Sequence, residues 1–132
     1  MIQIKKKYHF YMGHRNKKAG AKCGRLHGHT YNVLCYFNFN KIDNGLTMLF
    51  SDIDKLAEPI IKQFDHWFLF CENDPILKHL NKAGELYKTV PFETSAENMS
   101  MFFFKEIKKY TDLPITRIEL AETKSSTIIY EE

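Results

Sequence analysis

Three histidines and a thiol fall within sixteen residues: His14, then Cys23-Gly-Arg-Leu-His27-Gly-His29. Zinc binds imidazole nitrogen at roughly 2.0–2.1 Å, and a catalytic zinc typically keeps three protein ligands and one open position. Residues two apart on a strand point to the same face. Their Cα atoms lie about 6.6 Å apart, so His27 and His29 are placed to converge on one ion. Gly28 between them removes bulk where backbone must approach closely, and His14 supplies a third nitrogen from a neighbouring strand end. Cys23 has two readings. As a fourth ligand it closes a structural site and is inert; off the metal it is a reactive thiol beside a catalytic ion.

The elements that must position these residues follow from apolar periodicity. Residues 2–12 read as a strand, 13–26 as a polar loop, and 29–40 as a strand with clean alternation at Tyr31, Val33, Cys35, Phe37 and Phe39. Asp43-Asn44-Gly45 is a turn before a short strand near 46–50. Ser51, with Asp54 three residues on, reads as the cap of a helix over 52–65, with Ile53, Leu56, Ile60 and Ile61 on one face and a kink at Pro59. Residues 66–93 read as irregular. Thr94-Ser-Ala-Glu97 is a capping box opening a helix over 95–110, with Glu97 as its acid. Two strands, 115–122 and 126–131, close the chain. The order ββααββ predicts an α+β fold, an antiparallel sheet with two helices on one face.

Bulk properties narrow the class. A chain of 132 residues makes one domain, residues 1–132, with a core enriched in Phe (11) and Tyr (7). No apolar run reaches the length of a membrane helix and no signal-peptide pattern opens the chain, so neither membrane nor export is expected. Three cysteines suit a reducing cytoplasm better than a disulfide framework. Residues 1–42 carry nine Lys/Arg and no acid, whereas 43–132 carry ten Lys/Arg against sixteen Asp/Glu. A basic segment around a metal site points to an anionic ligand, a phosphorylated small molecule or a nucleic acid. No recognised nucleic-acid motif is present. A zinc-stabilised nucleic-acid module remains the non-enzyme alternative.

With these residues in place, the chain resembles the 6-pyruvoyl-tetrahydropterin synthase superfamily, most closely its bacterial queuosine branch. Phe10-x-x-x-His14-Arg15 matches the first metal-ligand motif, and Lys22-Cys-Gly-Arg-Leu-His-Gly-His29 matches the nucleophile and two-ligand motif. Asp65-His66 with Leu69, Thr94-Ser-Ala-Glu-Asn98, and Glu122-Thr123 followed by Tyr130 match later segments in order. Three residues separate Cys23 from His27, as in the queuosine branch. Departures are Leu49-Phe50 where the family often has Asp-Phe, Thr94 where it has Pro, and Trp67 after the Asp-His pair.

The resemblance implies a tunnelling (T-fold) subunit, assembled as trimers stacked into a homohexamer with active sites between subunits. It implies Zn2+ on His14, His27 and His29, and a pterin triphosphate as the small-molecule substrate, with no nucleic-acid partner. Cys23 and His66 are then the acid-base pair, with His66 oriented by Asp65 or by another acid. Glu122 would accept the N–H donors of the pterin edge, with Ser95 beside the ring and Arg15 among the groups facing the anion. The product is 6-carboxy-tetrahydropterin, or 6-pyruvoyl-tetrahydropterin on the alternative reading. His9, His79, Cys35 and Cys71 match no motif and are expected to be structural.

Overall fold

The computed structural model describes residues Met1–Glu132. Two thirteen-residue strands, β1 (Ile2–His14) and β2 (His27–Phe39), pair antiparallel without a break from Ile2↔Phe39 to His14↔His27. Alternation assigns their faces. Tyr8, Phe10, Met12, His14, Tyr31, Val33, Cys35 and Phe37 are buried, while Lys5, His9 and Asn32 between them are exposed.

The remaining elements are α1 (Phe50–Ile61), β3 (Trp67–Cys71), α2 (Leu77–Ala83), β4 (Lys88–Val90), α3 (Ala96–Tyr110), β5 (Ile115–Thr123) and β6 (Ser126–Glu131). They form a six-stranded sheet in the order β4-β3-β1-β2-β5-β6. Ile53, Ala57 and Ile61 of α1 and Met99, Phe103, Phe104 and Ile107 of α3 follow helical spacing. They close on the apolar face of the sheet in one cluster of 22 buried residues. No helix is long and apolar enough to cross a membrane.

The α+β class holds, and the structure adds to the expected elements. Residues 66–93, read as irregular, contain β3, α2 and β4, so the sheet has six strands instead of four. It is mixed, because β3 runs parallel to β1 and β4 parallel to β3. Trp67-Phe-Leu-Phe-Cys71 is a short continuous apolar run bounded by Asn73-Asp74-Pro75, which is how a strand buried on both faces reads. The strand expected near 46–50 reduces to one bridge, Asp43↔Leu46.

Ser51 does not cap α1: the cap is Leu49, which offers no side-chain bond, and the helix opens at Phe50. Pro59 lies inside α1, whose bonding gives way to a 3-10 turn at Lys62–Phe64. At α3 the cap is Ser95, accepting from the Asn98 N–H at 3.2 Å, so Thr94 and Glu97 are released from the expected capping box. Beyond Met12 and Gly13, which pair with β3, the outer edge of β1 from Ile2 to Phe10 has no strand partner.

Candidate metal centre and active site

His14 and His27 are direct cross-strand partners, and His29 stands opposite Met12, so all three imidazoles project from the core face at one end of the β1–β2 ribbon. One nitrogen from each lies within 4.8 Å of the others. Ring orientation is set from behind. Thr94, fully buried, donates its hydroxyl to the Arg15 carbonyl at 3.3 Å, so towards His14 Nδ1, 2.9 Å away, it accepts. His27 Nδ1 lies 2.6 Å from the Arg25 carbonyl, which can only accept. Both Nδ1 atoms therefore carry the proton, and both Nε2 lone pairs face the centre, the arrangement that orients metal-bound histidines.

His14 Nε2 and His29 Nε2 are buried and make no hydrogen bond. Leaving two such atoms unpaired is costly unless a ligand satisfies them. Burial first, then repulsion from His27 and His29, holds His14 down at about 4, and burial with His27 lowers His29. Neutral imidazole is the form that binds metal. The residues present fit a zinc ion.

The triad opens into a cleft of about 340 Å³ lined by His14, Cys23, His27, Ser95, Glu97 and Glu122 among others. Cys23 is exposed on a 3-10 turn, Ala21–Gly24, and stays outside the set of converging ligand atoms. Glu122 Oε2 is 3.5 Å from His29 Nε2, an ion-pair distance without hydrogen-bond alignment. Burial pushes the Glu122 carboxyl up, and the charge of Glu97 adds to this against the opposing pull of His27. Tyr31 walls the triad from below. Its ring stacks on Phe10 at 4.7 Å and meets His29 edge-on at 5.4 Å, and its buried hydroxyl has no partner. Burial, with the Glu122 charge, pushes its ionisation up. A larger cleft of about 530 Å³, between the start of β1 and residues 42–50, contains no His, Cys or acid and is not this site.

Arg15 has a partner within the chain. Its guanidinium grips Asp74 through two bonds, Nε to Oδ2 at 2.9 Å and Nη2 to Oδ1. Both side chains are nearly buried, so Arg15 ties the end of β1 to the turn before α2. The guanidinium holds the Asp74 carboxyl below its usual range.

Asp65 and His66 do meet each other. His66 has φ +63, and this left-handed turn brings its Nδ1 to 2.9 Å from Asp65 Oδ2. Asp65 Oδ1 accepts from Tyr11 N at 2.8 Å, and His66 N donates to Tyr11 O at 2.7 Å. The Tyr11 amide first, then His66, keeps the Asp65 carboxyl low. His66 stands edge-on to Tyr11, which points away from Met12 and His14, in a second cleft with Gly13 and Phe68. Within one chain, His66 and Cys23 occupy opposite faces of the sheet.

Sequence reasoning passed over Thr94, Asp74 and Tyr31 as parts of this site. Tyr31 carried a signal, since it continues the His27, His29 alternation by one step. The Arg15–Asp74 and Thr94–His14 contacts span 59 and 79 or more residues and leave no local trace.

The profile of the 6-pyruvoyl tetrahydropterin synthase family matches residues 3–132. A 6-carboxy-5,6,7,8-tetrahydropterin synthase of Haemophilus influenzae is 30% identical over 141 aligned positions, covering 100% of both chains. One from Aquifex aeolicus is 26% identical, covering 98% of each. Among solved structures, an uncharacterised protein of Wolinella succinogenes superposes with a TM-score of 0.84 at 18% identity, covering 99% of this chain and 98% of that one. The Caenorhabditis elegans 6-pyruvoyl tetrahydropterin synthase superposes at 0.73 and 17%, covering 99% and 95%. The chain belongs to the 6-pyruvoyl tetrahydropterin synthase family, a family of enzymes, and has its T-fold.

Proposed function

We propose that the chain is a zinc-dependent lyase of queuosine biosynthesis. On this reading it converts 7,8-dihydroneopterin triphosphate to 6-carboxy-5,6,7,8-tetrahydropterin, releasing acetaldehyde and triphosphate. The observation that carries it is the convergence of three imidazoles, two with orphaned Nε2 atoms, beside a free thiol and a half-buried carboxylate in one cleft. The names borne by the Haemophilus and Aquifex relatives support the carboxy product.

His14, His27 and His29 hold the zinc, which when bound supplies Lewis-acid polarisation of the substrate's side-chain hydroxyls. Cys23, outside the ligand set, takes a carbon-bound proton. Glu122 accepts the paired N–H donors of the pterin edge, and Ser95 and the first turn of α3 border the ring. With Arg15 engaged by Asp74, the exposed Lys17, Lys18, Lys22 and Arg25 remain for the triphosphate.

His66, oriented by Asp65, is the second acid-base group. Because it faces the other side of the sheet, it serves the Cys23 cleft of a second copy. The unpaired edge of β1 fits a sheet continued between subunits, in a homohexamer built from two trimers. The 1–132 segment acts as one T-fold domain in the cytoplasm, without a nucleic-acid partner.

The test is product analysis after incubation with 7,8-dihydroneopterin triphosphate, with zinc measured on the same sample. Acetaldehyde and the 6-carboxy mass are expected. A 6-pyruvoyl product without acetaldehyde moves the chain to the other branch of its family. Absence of turnover in zinc-loaded protein, with tight and steeply salt-dependent nucleic-acid binding, would return it to the module reading.

A further inference from the structure

The Tyr31 hydroxyl is the one polar atom in the wall of the site with neither a partner nor a task. Tyr31 is fully buried and stacks on Phe10 with an interplanar angle of 5°, a contact that a phenylalanine would make equally well. Packing therefore does not account for the oxygen, and an unpaired buried hydroxyl is destabilising. Strand pairing shows what it faces. Val33 stands opposite Leu120, and Asn32 opposite Ala121, where the pairing of β2 with β5 ends. Tyr31 and Glu122 follow just beyond, Glu122 at a register shift of β5 between Ala121 and Thr123, and both meet His29, the Tyr31 ring at 5.4 Å and the Glu122 carboxylate at 3.5 Å. The Glu122 carboxylate is half-buried and has His29 Nε2 as a neighbour at 3.5 Å. A metal on the triad would engage that nitrogen and remove this contact.

We propose that Tyr31 is a positioning residue for Glu122, its hydroxyl donating to the carboxylate in the loaded site. This rests on the assignment of Glu122 to the pterin edge and deepens it. A carboxylate has about four lone-pair sites. One bond from Tyr31 fixes the rotation of the group, and the remaining sites are then presented in plane to two adjacent N–H donors of a flat heterocycle. Bidentate recognition depends on that planarity.

The experiment is a double-mutant cycle on the zinc-loaded protein, read by fluorescence titration of neopterin, with melting temperature and zinc content recorded for each variant. Tyr31→Phe is expected to keep its zinc, to melt within a few degrees of wild type, and to bind neopterin about tenfold more weakly. Glu122→Ala is expected to lose at least as much. In the Glu122→Ala background, Tyr31→Phe should cost nothing further, the signature of a residue acting through its neighbour. With substrate, Tyr31→Phe should raise KM more than it lowers kcat. Wild-type affinity in Tyr31→Phe, with weakened binding in Glu122→Ala, overturns the inference and leaves the role of Glu122 intact. Additive losses, or loss of zinc and melting temperature in Tyr31→Phe, overturn it too. Unchanged binding in Glu122→Ala overturns both the inference and the pterin-edge assignment on which it rests.

Discussion

On the core face of the β1–β2 ribbon, the three histidines reach one point through thirteen unbroken cross-strand pairs, with Thr94 and the Arg25 carbonyl fixing two rings from behind. On the opposite face, His66 reaches its place through a single left-handed residue held by Tyr11 and Asp65. The first arrangement is buried at His14 and half-buried at His27 and His29. The second projects a ring that is 75% exposed. A metal centre needs several atoms held to a fraction of an ångström, which regular pairing supplies. An exposed ring is held in a projecting position instead, and a non-glycine residue at positive φ costs about 1–3 kcal/mol, offset here by three hydrogen bonds.

The largest effect expected is on the histidine side. His27→Ala and His29→Ala should each lose most bound zinc at equimolar metal, because two imidazoles and water make a poor site. Metal analysis after gel filtration checks this, and full occupancy in the double variant would break the three-ligand assignment. His66→Ala should keep its zinc.

Mixing sharpens the contrast between faces. Cys23→Ala and His66→Ala should each be inactive alone. Co-assembled in equal amounts, they should recover roughly a quarter of wild-type kcat per site, if each site takes one group from each of two subunits. No recovery in verified mixed oligomers would return both residues to one chain.

Acid separates the faces next. An unfolded histidine takes its proton near pH 6.5, but folded His14 does so only at about 4. Between those values the unfolded chain binds more protons, so metal-free protein should lose stability as pH falls from 6.5 to 4, by about 3 kcal/mol. Asp65 acts in the same sense, in a lower window. Its carboxyl is depressed in the folded state, so its contribution persists to about pH 4 and is lost only on further acidification. Melting curves in chelator across this range check the order, and His14→Asn should flatten the upper part.

The smallest effect is at Thr94. Thr94→Val removes the hydroxyl behind His14 and should weaken zinc about tenfold, with Thr94→Ser restoring it. Unchanged affinity would mean that strand register alone orients the ring.

The histidine side was also the legible one. The spacing His27-x-His29 and the alternation after it carry face, register and convergence, because a strand repeats every two residues. The last helix and the two final strands were readable for the same reason. What sequence could not give was anything created by distant segments meeting: Thr94 behind His14, and Asp74 gripping Arg15. The left-handed turn at His66 was hidden too, because histidine is no signal for positive φ in the way glycine is. Residues 66–93 were lost to a different cause, since a short strand without alternation has no period to read.

Gly13 and Gly28 face each other between the His14–His27 and Met12–His29 pairs, and neither carries a side chain. The sheet there is a bare partition one backbone thick, with the histidine cleft on one side and the His66 cleft on the other. Its two halves answer differently to being thickened. A Cβ on Gly13 would meet the Phe68 ring at 2.4–2.8 Å, and that half-exposed ring can swing outward, so the change would register beside His66. A Cβ on Gly28 would meet the Met12 carbonyl at 3.3 Å, where backbone must yield by a few tenths of an ångström, so the strain would fall on the β1–β2 pairing next to the histidines. Both Cβ atoms would point to the face opposite the histidines, so a methyl on either glycine probes the wall from the His66 side, one through a ring that can move and the other through backbone that resists.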